Sequence, residues 1–321
     1  MRSHKRRCLN TECVMGDVLS VHGKDAFSLR LWMGARCVST SSITHLISRH
    51  LIGKRNPQHG STLVELIIVM VIVGILVASA GMLFLAPMRG YIDSSRRAML
   101  VDLADTSLLL MQRELRAALP NSVRITGDTL EFVPIAYAGR YRAQPVGDVL
   151  DFTQPDSSFN AFAANVPDLS STRLVVFPAD APSIYGGGSA IMTPSTTTLS
   201  HTDGASEDTI TLSSPFQFDY SSPEQRFYVV TEPVSYVCDE NGGTGTGTIT
   251  RHSGYGFSVT QSTTPAGTAD PLTDYVASCA FTYSPSAGGR SAVVSLALSL
   301  RDSSSGEQVK LMEQVQVDNV P

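Results

Sequence analysis

The feature that most constrains this sequence is an uninterrupted apolar segment in its N-terminal third. Leu66 to Met88 read LIIVMVIVGILVASAGMLFLAPM, 23 residues without a charged side chain. At 1.5 Å per residue, a helix of this length crosses a hydrocarbon core of about 30 Å. Gly74, Gly81 and Pro87 lie within the segment, and membrane helices tolerate these residues better than soluble helices do. The segment therefore favours one membrane-spanning helix over the buried core helix of a soluble protein.

Charge is distributed unevenly along the chain. Ten of the 24 basic residues, but only three of the 29 acidic ones, precede residue 61. Residues 61–321 therefore hold 14 basic and 26 acidic side chains, a net charge of −12, and Lys310 is their only lysine. A protein that binds nucleic acid needs clustered Lys and Arg to neutralise phosphates. We therefore expect no nucleic-acid partner.

Cysteine use indicates which side of the membrane the acidic region faces, because basic residues flank the apolar segment on both sides and do not decide it. After that segment the chain has only two cysteines, Cys238 and Cys279, in a region rich in Ser, Thr and Gly. An isolated pair of this kind is typical of an exported domain, since the cytosol keeps thiols reduced. Two free buried thiols are the alternative. We predict a Cys238–Cys279 disulfide and an extracytoplasmic C-terminal region.

The boundary before the apolar segment carries a specific motif. Residues 54–69 read KRNPQHGSTLVELIIV, with one acidic residue, Glu65, at the edge of the apolar run. An ionisable group in this position is costly and indicates a function. A carboxylate at a helix start that interacts with the helix dipole and interfacial water is the alternative explanation.

At these residues the sequence resembles the type IV prepilin family. The resemblance rests on a basic leader that ends in Gly60, followed by Ser61-Thr62-Leu63-Val64-Glu65 and an apolar helix. It implies that prepilin peptidase cleaves between Gly60 and Ser61 and methylates the new N-terminus. It also implies that Glu65, the fifth residue of the mature chain, takes part in subunit docking and assembly.

Two features depart from the family pattern. The first mature residue is usually Phe and here is Ser61, and a leader of 60 residues is long for the family. We expect an over-extended start, with the true leader beginning near Leu51. A genuine cytosolic extension is the alternative.

The helical pattern continues after the membrane segment. No Gly or Pro occurs between Ile92 and Leu119, and a leucine or methionine recurs every three to five residues, at Leu100, Leu103, Leu108, Met111, Leu115 and Leu119. This spacing predicts an amphipathic helix that packs on a sheet and ends at Pro120. We also expect a kink at Pro87.

The remainder predicts β-structure. A hairpin is expected around Gly127, and further strands at Val149–Phe152, Leu174–Phe177, Thr209–Leu212, Arg226–Val230, Val234–Cys238, Ala292–Leu300 and Val309–Val317. The polar segment 186–213 is expected to be an exposed loop. The predicted organisation is a leader (1–60), a transmembrane helix (61–90), an amphipathic helix (91–119) and a β-rich extracytoplasmic domain (120–321).

This layout predicts an α+β, pilin-like fold with a long N-terminal helix packed on an antiparallel sheet with extended loops. Four runs of sequence extend the resemblance to the MshO-type minor prepilins of MSHA pilus biogenesis: RELRAALPNSVRITGDTLEF (113–132), AGRYR (138–142), YVASCAFTYSP (275–285) and VQVDNVP (315–321). PilW-like proteins and J-type minor pseudopilins are related to the same group.

The resemblance implies a minor pilin of the initiation or tip complex of a type IV pilus. Its implied partners are other major and minor pilins through the N-terminal helix, prepilin peptidase and the inner-membrane assembly platform. It implies a single pass through the bacterial inner membrane, followed by a place in the pilus. The alternatives are a J-type minor pseudopilin of type II secretion and a pilus-tip adhesin or binding module that works through the loops after residue 140.

Catalytic and metal-binding patterns are not evident. The mature region has two histidines, His201 and His252, in turn-like contexts, and no G-x-S-x-G motif. The glycine-rich run 242–247 lacks the lysine and helix of a phosphate loop and is expected to be a hairpin tip. The acidic clusters 203–208 and 239–241 lack the spacing of a known calcium loop. We expect no enzyme activity, cofactor or metal.

Overall fold

The computed structural model of the 321-residue chain describes residues 62–162, 166–186 and 188–321. The predicted leader and Ser61 lie outside the described residues. The chain divides into two compact units, Met1–Met70 and Val71–Pro321, and the second contains all of the described strands. The fold is α+β, an N-terminal apolar helix followed by antiparallel sheets, as the sequence predicts.

A long helix, α1, occupies Leu63–Arg116 and continues through Pro87. From residue 100 onward it is buried at intervals of three or four residues, at Leu100, Ala104, Leu108, Met111 and Leu115. That spacing is the repeat of an α-helix, so these residues form one face. The helix ends four residues before Pro120, which has no amide proton for a helical hydrogen bond.

The described strands follow α1 in two sheets. In chain order they are β1 Arg124–Thr126, β2 Thr129–Phe132, β3 Ile135–Tyr141, β4 Asp156–Phe162, β5 Arg173–Val176, β6 Leu199–Thr202, β7 Asp208–Phe216, β8 Arg226–Val230, β9 Val234–Asp239, β10 Gly247–Ser253, β11 Thr268–Pro285, β12 Ser291–Arg301 and β13 Gln308–Asp318. Sheet A has the order β1-β2-β9-β10-β11-β12-β13, and sheet B has the order β5-β8-β3-β4-β7-β6. A short helix, α2 (Ala181–Ile184), follows β5.

The buried side of α1 packs on one face of sheet A. Its apolar residues share a hydrophobic cluster with inward-facing residues of β2 and of β9 to β13. In β12 the predicted alternation is present, because Val294, Leu296, Leu298 and Leu300 are all buried. Burying one leucine contributes about 1.5–3 kcal/mol of transfer free energy, so this helix–sheet contact is a large source of stability.

Sheet B has a hydrophobic core of its own. Tyr141, Phe159 and Phe227 are buried in it, and the rings of Phe159 and Phe227 meet edge to face at 5.5 Å. A smaller cluster joins residues of β5 and β8 to residues outside the strands, such as Val133 after β2 and Ile184 of α2. The sequence predicts one antiparallel sheet, whereas the described strands form two.

Most predicted strands form close to the expected residues, and the hairpin turns at Gly127, which has a positive φ of 55°. The strand predicted at Val149–Phe152 is wrong. There the Asp151 N–H donates to the Asp156 carboxylate, and the Asp151 carboxylate accepts from the Thr153 N–H, which makes a turn.

The segment 186–213 is not wholly an exposed loop. It contains β6 and the beginning of β7, and Ile191, Thr193 and Thr197 are buried. Short strands have few inward-facing positions, so the Ser, Thr and Gly residues around them mask the apolar alternation that would predict a strand. The prediction for this segment was wrong for that reason.

Candidate functional site

A short polar sequence begins α1 just before the apolar run. Thr62 precedes the helix, and its hydroxyl accepts a hydrogen bond from the Glu65 N–H at 3.3 Å. The Thr62 carbonyl accepts a helical bond from the Leu66 N–H, also at 3.3 Å. Thr-x-x-Glu is the spacing of a capping box, and a carboxylate in the first turn interacts favourably with the helix dipole. Glu65 is therefore an exposed carboxylate in the first turn of the helix.

The first part of α1 exposes its apolar side chains on every side. All residues from 62 to 79 are exposed, with Leu63 at 75% and Val77 at 66%. Among the described residues, Leu63–Ala80 is the stretch whose length and composition suit a membrane span. An apolar surface of this extent is unfavourable in water, so it needs a bilayer or other apolar surfaces around it.

The residues of the predicted cleavage site are not all described. Gly60 and Ser61 lie outside the described residues, whereas Glu65 lies in the first turn of α1. Cleavage between Gly60 and Ser61, methylation at Ser61 and a docking role for Glu65 stay predictions.

Glu114 joins the second part of α1 to sheet A through polar contacts that the sequence analysis missed. Its carboxylate accepts a hydrogen bond from the Tyr236 hydroxyl at 2.7 Å and pairs with the Arg251 Nε at 3.1 Å. Burial, and then the hydrogen bond to Glu114, raises the pKa of Tyr236 well above its usual value. Glu114 lies beside Leu115 at the margin of the apolar stripe, and that position is the only feature of the sequence that indicates a contact between Glu114 and sheet A.

Two arginines of α1 contact the turn between β12 and β13. Arg96 Nε lies 3.7 Å from Asp302 Oδ2, and Arg97 Nη1 lies 3.6 Å from Glu307 Oε1. Hydrogen bonds from Ser304 lower the pKa of Asp302 to about 2, so that its carboxylate stays charged in mild acid as well as at neutral pH. Both arginines are largely exposed, so these ion pairs add little to the apolar contact between α1 and sheet A.

Cys238 and Cys279, the predicted pair, are joined by a disulfide with their Cα atoms 6.6 Å apart. Cys238 lies in β9 and Cys279 in β11, and β10 pairs with both strands. The bond lies near the start of β10 at Gly247, where a Cβ atom would collide with the carbonyl oxygen of Asp239. The disulfide therefore ties together two strands that are not direct neighbours.

The glycine-rich run 242–247 forms most of the connection between β9 and β10, as expected for a hairpin tip. Gly245 has a positive φ of 81°, and a Cβ atom there would collide with the carbonyl oxygen of Arg301. Two physical constraints, the backbone conformation and the close approach to β12, explain glycine at this position.

Two residues of the AGRYR run, Tyr141 and Arg142, are engaged inside the domain, whereas Arg140 is exposed. The Tyr141 hydroxyl is buried and accepts a hydrogen bond from the Ser222 N–H at 2.9 Å, and burial raises the pKa of Tyr141. The guanidinium of Arg142 binds the carboxylate of Glu207, with Nε to Oε2 at 2.7 Å. These contacts give the run a structural role.

Carboxylates of both acidic clusters form hydrogen bonds or ion pairs with other residues of the protein. Glu207 binds Arg142, and Asp208 accepts a hydrogen bond from the Gly204 N–H. Glu240 accepts a hydrogen bond from the Cys279 N–H at 3.0 Å. Within the described residues no group of three or more His, Cys, Asp or Glu side chains is arranged to hold a metal ion.

Comparison with known proteins bears on the N-terminal segment. Residues 55–81 match the family described as Prokaryotic N-terminal methylation motif, and this range includes Gly60, Ser61 and Glu65. No curated protein and no solved structure matches the chain significantly. The motif and the exposed apolar helix that follows it support a type IV pilin-like protein that is processed by prepilin peptidase and anchored in the membrane by a single helix.

Proposed function

We propose that the protein is a minor pilin that takes part in initiating or capping a type IV pilus of the MSHA kind. The observation that carries this proposal is the coincidence, in one register, of the methylation motif at 55–81, Glu65 in the first helical turn and the apolar stretch Leu63–Ala80, in which no residue is buried. Cleavage after Gly60 leaves a mature chain of 261 residues whose helix begins at its third residue.

The exposed apolar helix supports a subunit that changes its surroundings during assembly. In the membrane, lipid covers the side chains from Leu63 to Ala80. A subunit that leaves the bilayer needs another apolar surface over the same residues, because exposing them to water is unfavourable. Packing against equivalent helices of other pilins meets this need.

Packing of these helices must also provide a cationic partner for the Glu65 carboxylate. A carboxylate moved into an apolar helix bundle costs several kcal/mol unless a cation accompanies it. In the proposed fibre that cation is the N-terminal amine of Ser61 from a neighbouring subunit, and methylation leaves its charge in place. The pairing fixes the depth at which one helix lies beside the next.

The test combines N-terminal mass spectrometry with gene deletion. We expect the membrane-extracted protein to begin at a methylated Ser61. Deletion should abolish surface pili counted by electron microscopy, and the wild-type gene should restore them, whereas a variant lacking residues 61–90 should not.

Three other results would contradict the proposal. An N-terminus other than Ser61 removes the prepilin assignment. Intact pili with a defect in type II secretion indicate a J-type pseudopilin. Intact pili with loss of attachment alone indicate an adhesin that is dispensable for assembly.

A further inference from the structure

A polar cavity lies where sheet B approaches the loop before β11. Its volume is about 230 Å³, and six of its ten lining residues are serine or threonine. The others include Arg173 at the start of β5, Glu232 between β8 and β9, and Phe257. A second cavity of about 410 Å³ shares Ser171, Thr231 and Glu232 with the first and extends toward Arg251 of sheet A. We call the first one the Arg173 cavity.

Arg173 differs from the other partly buried arginines. Arg124, Arg142 and Arg251 each pair with a glutamate. No carboxylate of the described residues lies within ion-pair distance of Arg173, whose guanidinium carbon instead stands 4.5 Å from the centroid of the Phe257 ring.

The charge of Arg173 is partly desolvated, and the opposing negative charge, that of Glu232, is not in contact with it. Burial lowers the pKa of Arg173, and the more distant charge of Glu232 opposes that effect. A desolvated cation without a close counter-ion is unfavourable, and an incoming anion relieves that cost. A guanidinium that lies over an aromatic ring also keeps the N–H groups at its edge available to bind a planar anion.

The lining narrows the class of anion. A guanidinium matches a carboxylate with two parallel hydrogen bonds. The hydroxyl groups of residues such as Thr198 and Thr231 both donate and accept, which suits a ligand rich in hydroxyls. Glu232 repels a doubly charged phosphate more strongly than a single carboxylate. The cavity volume lies below the range of about 300–1,000 Å³ typical of sites for drug-sized ligands, which indicates a ligand no larger than a single sugar ring.

We propose that the Arg173 cavity binds a hydroxylated carboxylate of the sugar-acid class, with Arg173 holding the carboxylate and the serine, threonine and Glu232 side chains bonding the hydroxyls. This proposal does not depend on fibre assembly, because every lining residue belongs to the unit Val71–Pro321 and none lies on α1.

Binding is tested with the full-length protein in detergent micelles, by titration calorimetry and ligand-observed NMR. The probes are D-glucuronate, its neutral counterpart D-glucose, and inorganic phosphate. We expect glucuronate to bind with a Kd on the order of 1 mM, as its small size implies. Glucose and phosphate should each bind at least about tenfold more weakly, since glucose lacks the carboxylate and phosphate lacks the sugar hydroxyls.

Variants locate the site. Arg173→Gln should weaken glucuronate binding about tenfold or more, as expected for a lost charged hydrogen bond. Arg140→Gln is the matched control, because Arg140 is an exposed arginine near Glu224 that does not line the cavity, and it should leave the Kd unchanged. Thr231→Val changes one exposed lining residue and should weaken binding about threefold, which keeps the test valid if Arg173→Gln fails to fold.

Equal binding of glucuronate and glucose would overturn the proposal, as would tighter binding of phosphate. Unchanged affinity in a folded Arg173→Gln protein, or no saturable binding of glucuronate, would overturn it too.

Discussion

The two parts of α1 belong to one helix but differ in where their partners are. From Leu63 to Ser79 every residue is exposed, whereas from Leu100 to Leu115 one face is buried on sheet A. Both parts contain many aliphatic side chains, so the presence of such residues does not by itself separate them. The difference is that the first part is apolar all round and the second carries charges on its outer side. A helix of the first kind needs partners outside its own chain, and a helix of the second kind finds them within it.

The strongest test of the first part is to prevent its release from the leader. Gly60→Val should cause complete accumulation of the full-length precursor, because a bulky residue at the cleavage position hinders a peptidase that must grip the backbone there. Immunoblotting and intact-mass measurement follow the processing. Gly53→Val, seven residues upstream, is the matched control and should be cleaved normally. Normal processing of Gly60→Val would remove the assigned cleavage site.

Glu65 separates insertion of the first part from its packing against other subunits. Glu65→Ala should be inserted and cleaved normally but should lose most of its co-purification with other pilins, since the apolar bundle then lacks its carboxylate–amine pair. Asp93→Ala, which removes an exposed carboxylate further along α1, is the control. Wild-type pilus number and co-purification in Glu65→Ala would reject the docking role.

The second part of α1 offers a pair of leucines that sharpen the comparison within one helix. Leu115 is fully buried and Leu109 is 52% exposed. Leu115→Ala should lower the free energy of unfolding by about 2–5 kcal/mol through lost burial and a new cavity. Leu109→Ala should change it by less than about 1 kcal/mol. Denaturant unfolding followed by near-ultraviolet circular dichroism measures both, and equal effects would contradict the one-sided contact.

The disulfide stabilises the sheet against which the second part packs. In the chain-entropy model, closing a loop between residues 41 apart contributes roughly 3–4 kcal/mol. Cys238→Ser and Cys279→Ser should each lower stability and abundance, and the double variant should be no worse than either single one. Alkylation of both thiols in unreduced protein from intact cells would refute the disulfide and weaken the extracytoplasmic assignment.

The smallest expected effect concerns the polar contact between α1 and sheet A. Tyr236→Phe removes the hydroxyl that donates to Glu114 but leaves Arg251 beside that carboxylate. We expect a loss of about 1 kcal/mol in the same unfolding measurement, because Glu114 keeps one partner. Tyr275→Phe, on a partly buried tyrosine packed against the same cluster, is the control and should have a smaller effect.

Local patterns in the sequence were sufficient for several parts of the molecule. The run Leu66–Met88 predicts a membrane helix by its length and uniform apolarity. The stripe from Leu100 to Leu115 and the alternation in β12 each repeat with the period of one element, so they predict the element and its buried face. The motif that contains Gly60 and Glu65 is equally local. Each of these signals is complete within about 25 residues or fewer.

The tertiary structure decided the features that depend on which strands become neighbours. Sheet B, the contact between Glu114 and Tyr236 122 residues apart, and the meeting of Arg173 with Phe257 have no local signature. A carboxylate or a guanidinium looks the same in sequence whether it lies beside an ion partner or in a cavity without one. Its role is set by the desolvation and the opposing charge that distant segments bring to it, and only the folded arrangement supplies these.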